Sequence, residues 1–161
     1  MIYLLTGPTR SYKTTTLMHW SRPRHVCGGV LTPDQGDFRV LYNVKEKFSI
    51  PWQKSFSDSE DDLQIGRFIF DASAFATAIE WLDDHWMDPS LSYIIVDEIG
   101  PLELKGYGWN PWLRKTLNQP TDKHLILVVR ESILDEVISG YDLKNYKVVG
   151  TTYFDSPMRD L

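Results

Sequence analysis

One cysteine, Cys27, stands alone in 161 residues, so no disulfide framework can form within the chain. The four histidines, His19, His25, His85 and His124, show no ligand spacing with it, which argues against a structural zinc. No apolar run approaches the roughly 20 residues that span a bilayer, so no membrane is expected. The start, Met1-Ile2-Tyr3-Leu4-Leu5, is apolar but lacks a basic stretch and reaches Gly7-Pro8 at once, a poor fit to a signal peptide. Basic residues are outnumbered, 17 Lys and Arg against 22 Asp and Glu, for a formal net charge of -5. Such a surface does not attract nucleic acid as a whole, and no motif points directly to it. A hydrophobic content of 42% excludes a disordered tail and a collagen-like repeat. The remaining expectation is a cytoplasmic, mildly acidic protein with one domain spanning residues 1–161. A domain of this size buries roughly 68–70% of the surface its unfolded chain exposes.

Strand-like and helix-like segments alternate. Residues 2–6 form a short apolar run ending in Gly-Pro, and residues 14–20 follow as a helix. Residues 26–31 read as a second strand. Residues 38–44 and 48–52 flank Lys45-Glu46-Lys47 and read as a β-hairpin, an insertion over about 36–54. The acidic stretch 55–62 reads as a solvated loop. Phe75, Ala78, Ile79, Leu82 and Trp86 recur at helical spacing and predict an amphipathic helix over about 73–86. Residues 93–96 and 125–129 are continuous apolar runs of the kind buried in parallel sheets. Asn110-Pro111 predicts an N-cap followed by proline at the first helical position. Ile133, Leu134, Val137 and Ile138 mark a further helix, and residues 146–149 a last strand. This alternation argues for an α/β fold with a mainly parallel sheet.

Residues 7–14 read Gly-Pro-Thr-Arg-Ser-Tyr-Lys-Thr, close to the phosphate-loop pattern G-x-x-x-x-G-K-[ST] between a strand and a helix. Gly7, Lys13 and Thr14 fall on their positions; Tyr12 replaces the second glycine. Backbone N–H groups from about Arg10 to Thr15 converge on phosphate oxygens in such a loop, where the helix dipole favours negative charge. Lys13 reaches phosphate as a point charge, and the Thr14 hydroxyl ligates Mg²⁺. The candidate nucleotide-binding residues are Gly7, Pro8, Thr9, Arg10, Ser11, Tyr12, Lys13, Thr14 and Thr15. Tyr12 must adopt a negative φ or carry strain of about 1–3 kcal/mol.

A second motif joins the first. Residues 93–104 read Tyr-Ile-Ile-Val-Asp-Glu-Ile-Gly-Pro-Leu-Glu-Leu, a buried strand ending in Asp97-Glu98, as a Walker B element requires. Asp97 serves the metal and Glu98 polarises an attacking water. Ligands bind at the carboxyl ends of parallel strands, so one sheet can bring Lys13 and Asp97 together.

The block Asp97-Glu98-Ile99-Gly100-Pro101-Leu102-Glu103-Leu104 resembles the hallmark of the cancer-related nucleoside-triphosphatase family, small P-loop NTPases. Gly28-Gly29-Val30-Leu31-Thr32 is similar to the family's second strand, and Ile65-Gly66-Arg67-Phe68 to its segment before a helix. The resemblance covers nearly the whole chain. It implies a three-layer α/β fold with a RecA-like sheet, and magnesium-dependent hydrolysis of nucleoside triphosphates to diphosphate and phosphate. Carried over by position, it implies that Lys13 and Thr14 hold phosphate and metal, Asp97 serves the metal, and Glu98 is the general base. Gly100 completes the block. The family's loop normally has glycines where Arg10 and Tyr12 stand.

Arg67, Arg114 and Arg130 are candidates for stabilising charge on the phosphoryl group. The aromatic loop 105–109 is a candidate for base stacking or for packing on its own domain, and Trp109 and Trp112 for a partner surface. Cys27 reads as a small buried hydrophobe. Two alternatives to an NTPase stand beside it. One is a small nucleotide or metabolite kinase, although no arginine between Arg67 and Arg114 supplies a lid. The other is a degenerate P-loop module that binds nucleotide with little turnover, favoured by Arg10 and Tyr12.

Overall fold

Alternation along the apolar strands separates two buried faces. The computed structural model describes residues 1–155. In order, the chain forms β1 (Ile2–Leu5), α1 (Lys13–Ser21), β2 (Cys27–Leu31), β3 (Asp34–Gln35), β4 (Phe38–Asn43) and β5 (Phe48–Pro51). Then come β6 (Gln53–Lys54), β7 (Leu63–Ile65), β8 (Phe68–Phe70), α2 (Ala72–Met87), β9 (Tyr93–Ile99) and α3 (Pro101–Leu104). Last are α4 (Asn110–Thr116), β10 (His124–Val129), α5 (Leu134–Gly140) and β11 (Tyr146–Val149). Leu4, Ile94, Val96, Leu125 and Leu127 point to one core; Tyr3, Leu5, Ile95, Ile126 and Val128 point to the other. Helices α2, α4 and α5 cover the first face through Ala78, Leu82, Leu113 and Val137, and α1 covers the second through Leu17 and Trp20. The result is the three-layer α/β arrangement.

The main sheet runs β11-β1-β10-β9-β2-β4-β3, with β5 added on β4. From β11 to β2 all pairs are parallel; β4 runs antiparallel to β2, β3 and β5. Strand β10 therefore lies between β1, which precedes the phosphate loop, and β9, which carries Asp97 and Glu98. All three strands end on the same side. Among the described residues no helix is long and apolar enough to cross a membrane.

Several expectations need correction. The hairpin β4–β5 is joined by a second, three-stranded sheet, β6-β8-β7, which its very short strands hid. The acidic stretch 55–62 is a loop exposed over 55–61 as expected, and departs from that expectation at Asp62. Its Asp62 side chain is 2% exposed and meets the Lys54 ammonium at 2.9 Å, with Asp58 and Asp71 on the same ammonium. The Lys54 ammonium beside it, with N–H groups from Ala72 and Asp58, holds the Asp62 carboxyl down at about 2. Asn110 is not the N-cap of α4: it is the first helical residue after Trp109, and its side-chain amide donates to the Glu103 carbonyl at 2.8 Å instead. Trp109 and Trp112 are 2% and 3% exposed, so neither marks a partner surface. Trp109 packs on Phe75 with ring centroids 4.4 Å apart, inside its own domain. Cys27 is buried as expected, and burial pushes its thiol up to about 12.

Strand β2 works only with glycine at its centre. Gly29 sits at φ 111, and a Cβ there would lie 2.0 Å from the Ile95 carbonyl oxygen of β9. Its N–H donates to His85 Nδ1 on α2 at 2.9 Å. Burial lowers the His85 pKa, which keeps the ring neutral and able to accept. Gly29→Ala is expected to destabilise the protein by about 3 kcal/mol through this clash and its backbone strain, read as a lower urea midpoint at unchanged m-value.

Candidate active site

Helix α1 begins immediately after a loop that reverses the chain from the end of β1. Arg10 and Tyr12 both take the left-handed conformation, each at φ 60. Tyr12 therefore keeps the backbone shape a glycine would give and carries the strain. It is 77% exposed, so its ring lies outside the loop and does not fill it. The backbone N–H groups of Lys13, Thr14 and Thr15 open the helix and have no acceptor within it. They face an anion's natural position at a helix start.

Lys13 is 9% exposed and its ammonium bridges its own loop. It donates to the Gly7 carbonyl at 3.0 Å, the Pro8 carbonyl at 2.8 Å and Ser11 Oγ at 3.2 Å. These three bonds close residues 7–13 into a ring around the cation. Thr9 and Arg10 are exposed on its rim.

The next residue reaches across the sheet. Thr14 Oγ1 donates to Asp97 Oδ2 at 2.7 Å, joining two positions 83 residues apart in sequence. The same carboxylate oxygen accepts from the Thr32 N–H at 3.1 Å and the Thr32 hydroxyl at 3.2 Å. Asp97 is 1% exposed. Burial raises its pKa first of all; the Thr14 and Thr32 donors oppose that rise, and the Glu98 charge adds to it. Thr32 is a site residue that the motifs do not assign. Its signals are its place at the exit of a Gly-rich strand and at the end of the Gly28–Thr32 segment that resembles the family's second strand.

Glu98 lies one residue beyond, its side chain 28% exposed. Arg130, at the exit of β10, donates to Glu98 Oε1 from Nε and from Nη2, both at 3.1 Å. Of the three arginine candidates, Arg130 alone meets a site carboxylate. The Arg67 guanidinium lies 5.0 Å over the Phe68 ring and that of Arg114 4.9 Å over Tyr141.

Gly100 has a structural partner. Its N–H donates at 2.8 Å to Glu103 Oε2, while Glu103 Oε1 accepts from the Trp109 N–H at 3.1 Å. Glu103 is 4% exposed, and burial raises its pKa against these N–H donors. It clamps loop 100–109 to the end of β9. Gly108, at φ 59, leaves the space this needs, since a Cβ there would lie 2.0 Å from Glu103 Oε1.

A family model described as NTPase matches residues 2–152. The chain belongs to this NTPase family. The family read from the Asp97–Leu104 block is thus the one that matches, and at family level it carries nucleotide binding and NTPase activity. In structure, the chain is similar to THEP1 from the hyperthermophile Aquifex aeolicus, with a TM-score of 0.70 at 18% identity over 94% of this chain and 90% of that one. It is also similar to a human cancer-related nucleoside triphosphatase, with a TM-score of 0.68 at 20% identity over 92% and 87% of the two chains. At such identities the likeness establishes the P-loop NTPase fold. No curated protein matches the chain in sequence.

Two outcomes test this geometry. A non-glycine residue in the left-handed region costs about 1–2 kcal/mol, partly offset by the entropy that glycine adds to the unfolded chain. Tyr12→Gly is therefore expected to raise the melting temperature of the ligand-free protein by about 1–4 °C in a thermal melt. Glu103→Ala leaves the buried Gly100 and Trp109 N–H groups without acceptors and is expected to cost about 2–4 kcal/mol in urea unfolding.

Proposed function

We propose that residues 1–161 form a single cytoplasmic domain, with a hairpin insertion over about 36–54, that hydrolyses nucleoside triphosphates such as ATP and GTP to diphosphate and phosphate in a Mg²⁺-dependent reaction. The observation that carries this reading is the Thr14–Asp97 hydrogen bond at 2.7 Å, which sets a hydroxyl and a buried carboxylate together beside the phosphate loop.

The donor set fits magnesium. Thr14 and Asp97 offer oxygen only, and among the described residues no group of three His, Cys, Asp or Glu gathers to hold a metal. Magnesium is commonly held by one or two carboxylates together with substrate phosphates and water. A cation beside Asp97 also offsets the burial that disfavours its charge. When bound, Mg²⁺ supplies neutralising charge at the phosphate oxygens.

The chain's own residues do the rest. The N–H groups at the start of α1 cradle phosphate oxygens, with Gly7, Pro8, Thr9, Arg10, Ser11 and Tyr12 shaping the loop and Thr15 continuing it. Lys13 gives up its loop carbonyls for phosphate oxygens and stabilises their charge electrostatically. Glu98 orients the attacking water and accepts its proton. This is positioning and electrostatics, which is most of what phosphoryl transfer asks of a protein.

Titration with Mg-ATP and Mg-GTP, followed by phosphate release, tests the reading. Lys13→Ala is expected to abolish nucleotide binding. Glu98→Gln is expected to bind nucleotide but release phosphate about 10²–10⁴-fold more slowly. An unchanged rate for Glu98→Gln removes the base assignment. Wild-type protein that binds without releasing phosphate is a binding module, and phosphate found on a nucleoside acceptor marks a kinase.

A further inference from the structure

A general base needs a direction as well as a proton affinity. The terminal torsion of a glutamate is broad, so a carboxylate on a free side chain presents either oxygen at many angles. Glu98 is not free in that sense. Arg130 leaves β10, the strand between the phosphate loop and β9, and its backbone N–H donates to the Ile99 carbonyl at 3.1 Å. The guanidinium is thus anchored at its root beside the residue that follows Glu98. Its Nε and Nη2 both donate to one oxygen, Oε1, at 3.1 Å. Among the described residues no hydrogen bond reaches Oε2. A planar guanidinium placing two donors on one oxygen restricts rotation of the carboxylate and leaves the other oxygen as the open acceptor.

The pair is partly solvated, with Arg130 side-chain exposure of 51%. Ion pairs of this kind contribute little to stability, so holding the fold together does not account for it. Nor does Arg130 stand free for the phosphate, the role its sequence position suggested.

We infer that Arg130 is a positioning residue for Glu98: it grips Oε1 so that Oε2 faces the attacking water. The inference rests on Glu98 being the base proposed above. In the step, a water proton passes to Oε2 while the water oxygen bonds to the γ-phosphorus. The bond from that phosphorus to the bridging oxygen breaks, and the diphosphate leaves with the electron pair. The proton then passes from Glu98 to solvent. Arg130 forms and breaks no covalent bond and carries no proton between the reactants.

The test measures kcat for phosphate release and the Kd for Mg-ATP in wild type, Arg130→Ala, Arg130→Lys, Glu98→Gln and the Arg130→Ala/Glu98→Gln double variant. Arg130→Ala is expected to lower kcat by about 10–100-fold, the effect of loosening a reacting group by about an ångström. Its Kd is expected to stay within about threefold of wild type. Arg130→Lys, which restores a charge but not the planar fork, recovers part of the rate. The double variant is expected to match Glu98→Gln alone, because a residue acting through Glu98 has nothing left to act on. Three results overturn the inference while leaving the base in place: wild-type kcat in Arg130→Ala, a further fall in the double variant, or a Kd weakened as much as kcat. The last two assign Arg130 to the phosphate itself. Failure of the base reading is separate, since it shows as no turnover in wild type or an unchanged rate in Glu98→Gln, and Arg130 falls with it.

Discussion

The Asp97 carboxylate is shut away from water at the end of β9, and three hydrogen bonds from two segments converge to satisfy it. An uncompensated buried charge is costly, so the hydroxyl of Thr14 and both the N–H and hydroxyl of Thr32 are drawn onto one oxygen. Those donors come from the start of α1 and the exit of β2. Meeting there requires that β1, β10, β9 and β2 run parallel and end level with one another. Much of the core serves that alignment: the close approach at Gly29 seats β2 against β9, and α2 locks β2 through His85. The distance between Lys13 and the carboxylate pair is thus set by the packing of the sheet rather than by the loop alone.

The loop itself meets a different constraint. Left-handed backbone at Arg10 and Tyr12 is normally glycine's territory, yet both positions hold that shape with full side chains. The Lys13 ammonium supplies part of what holds it, with two carbonyls and a hydroxyl of the same loop as its acceptors. Strain stored at a site persists only where surrounding contacts determine the conformation, and here those contacts are local and ionic in character. The side chains of Arg10 and Tyr12 point away, so the altered sequence changes the outer surface of the loop and not its inner wall.

How much of this was legible in the sequence depended on the range of the forces involved. Strands β9 and β10 are buried on both faces, and continuous apolar runs announced them. Helix α2 showed its periodicity, while the Asp71 side chain that caps it came from the structure. Lys13, Thr14, Asp97 and Glu98 stood out because their chemistry demands particular residue types at particular spacings. Strands of two or three residues, β3, β6, β7 and β8, left no such trace, since partner strands and the Lys54–Asp62 pair hold them. Thr32 closes the segment that resembles the family's second strand, but its role as a donor to Asp97 was not legible, because its partner is 65 residues away. Asn110-Pro111 marked the start of a helix correctly, but the expected cap has the asparagine oxygen accepting from helix N–H groups, whereas its amide donates instead. A side chain's choice among nearby partners depends on tertiary contacts, here with the Glu103 carbonyl and the Tyr141 hydroxyl.

The ring of bonds around Lys13 has a bearing on selectivity. With its three acceptors in place, the cation is already satisfied before any guest arrives. An entering anion must displace carbonyls that are tethered to the lysine by the chain itself and so present at high local concentration. A weakly charged or singly phosphorylated visitor gains little from that exchange, whereas a polyanion engages the ammonium and the helix-start amides at once. On the function proposed above, the loop would thus act as a threshold, screening ligands by how much negative charge they bring rather than by the shape of what the charge is attached to.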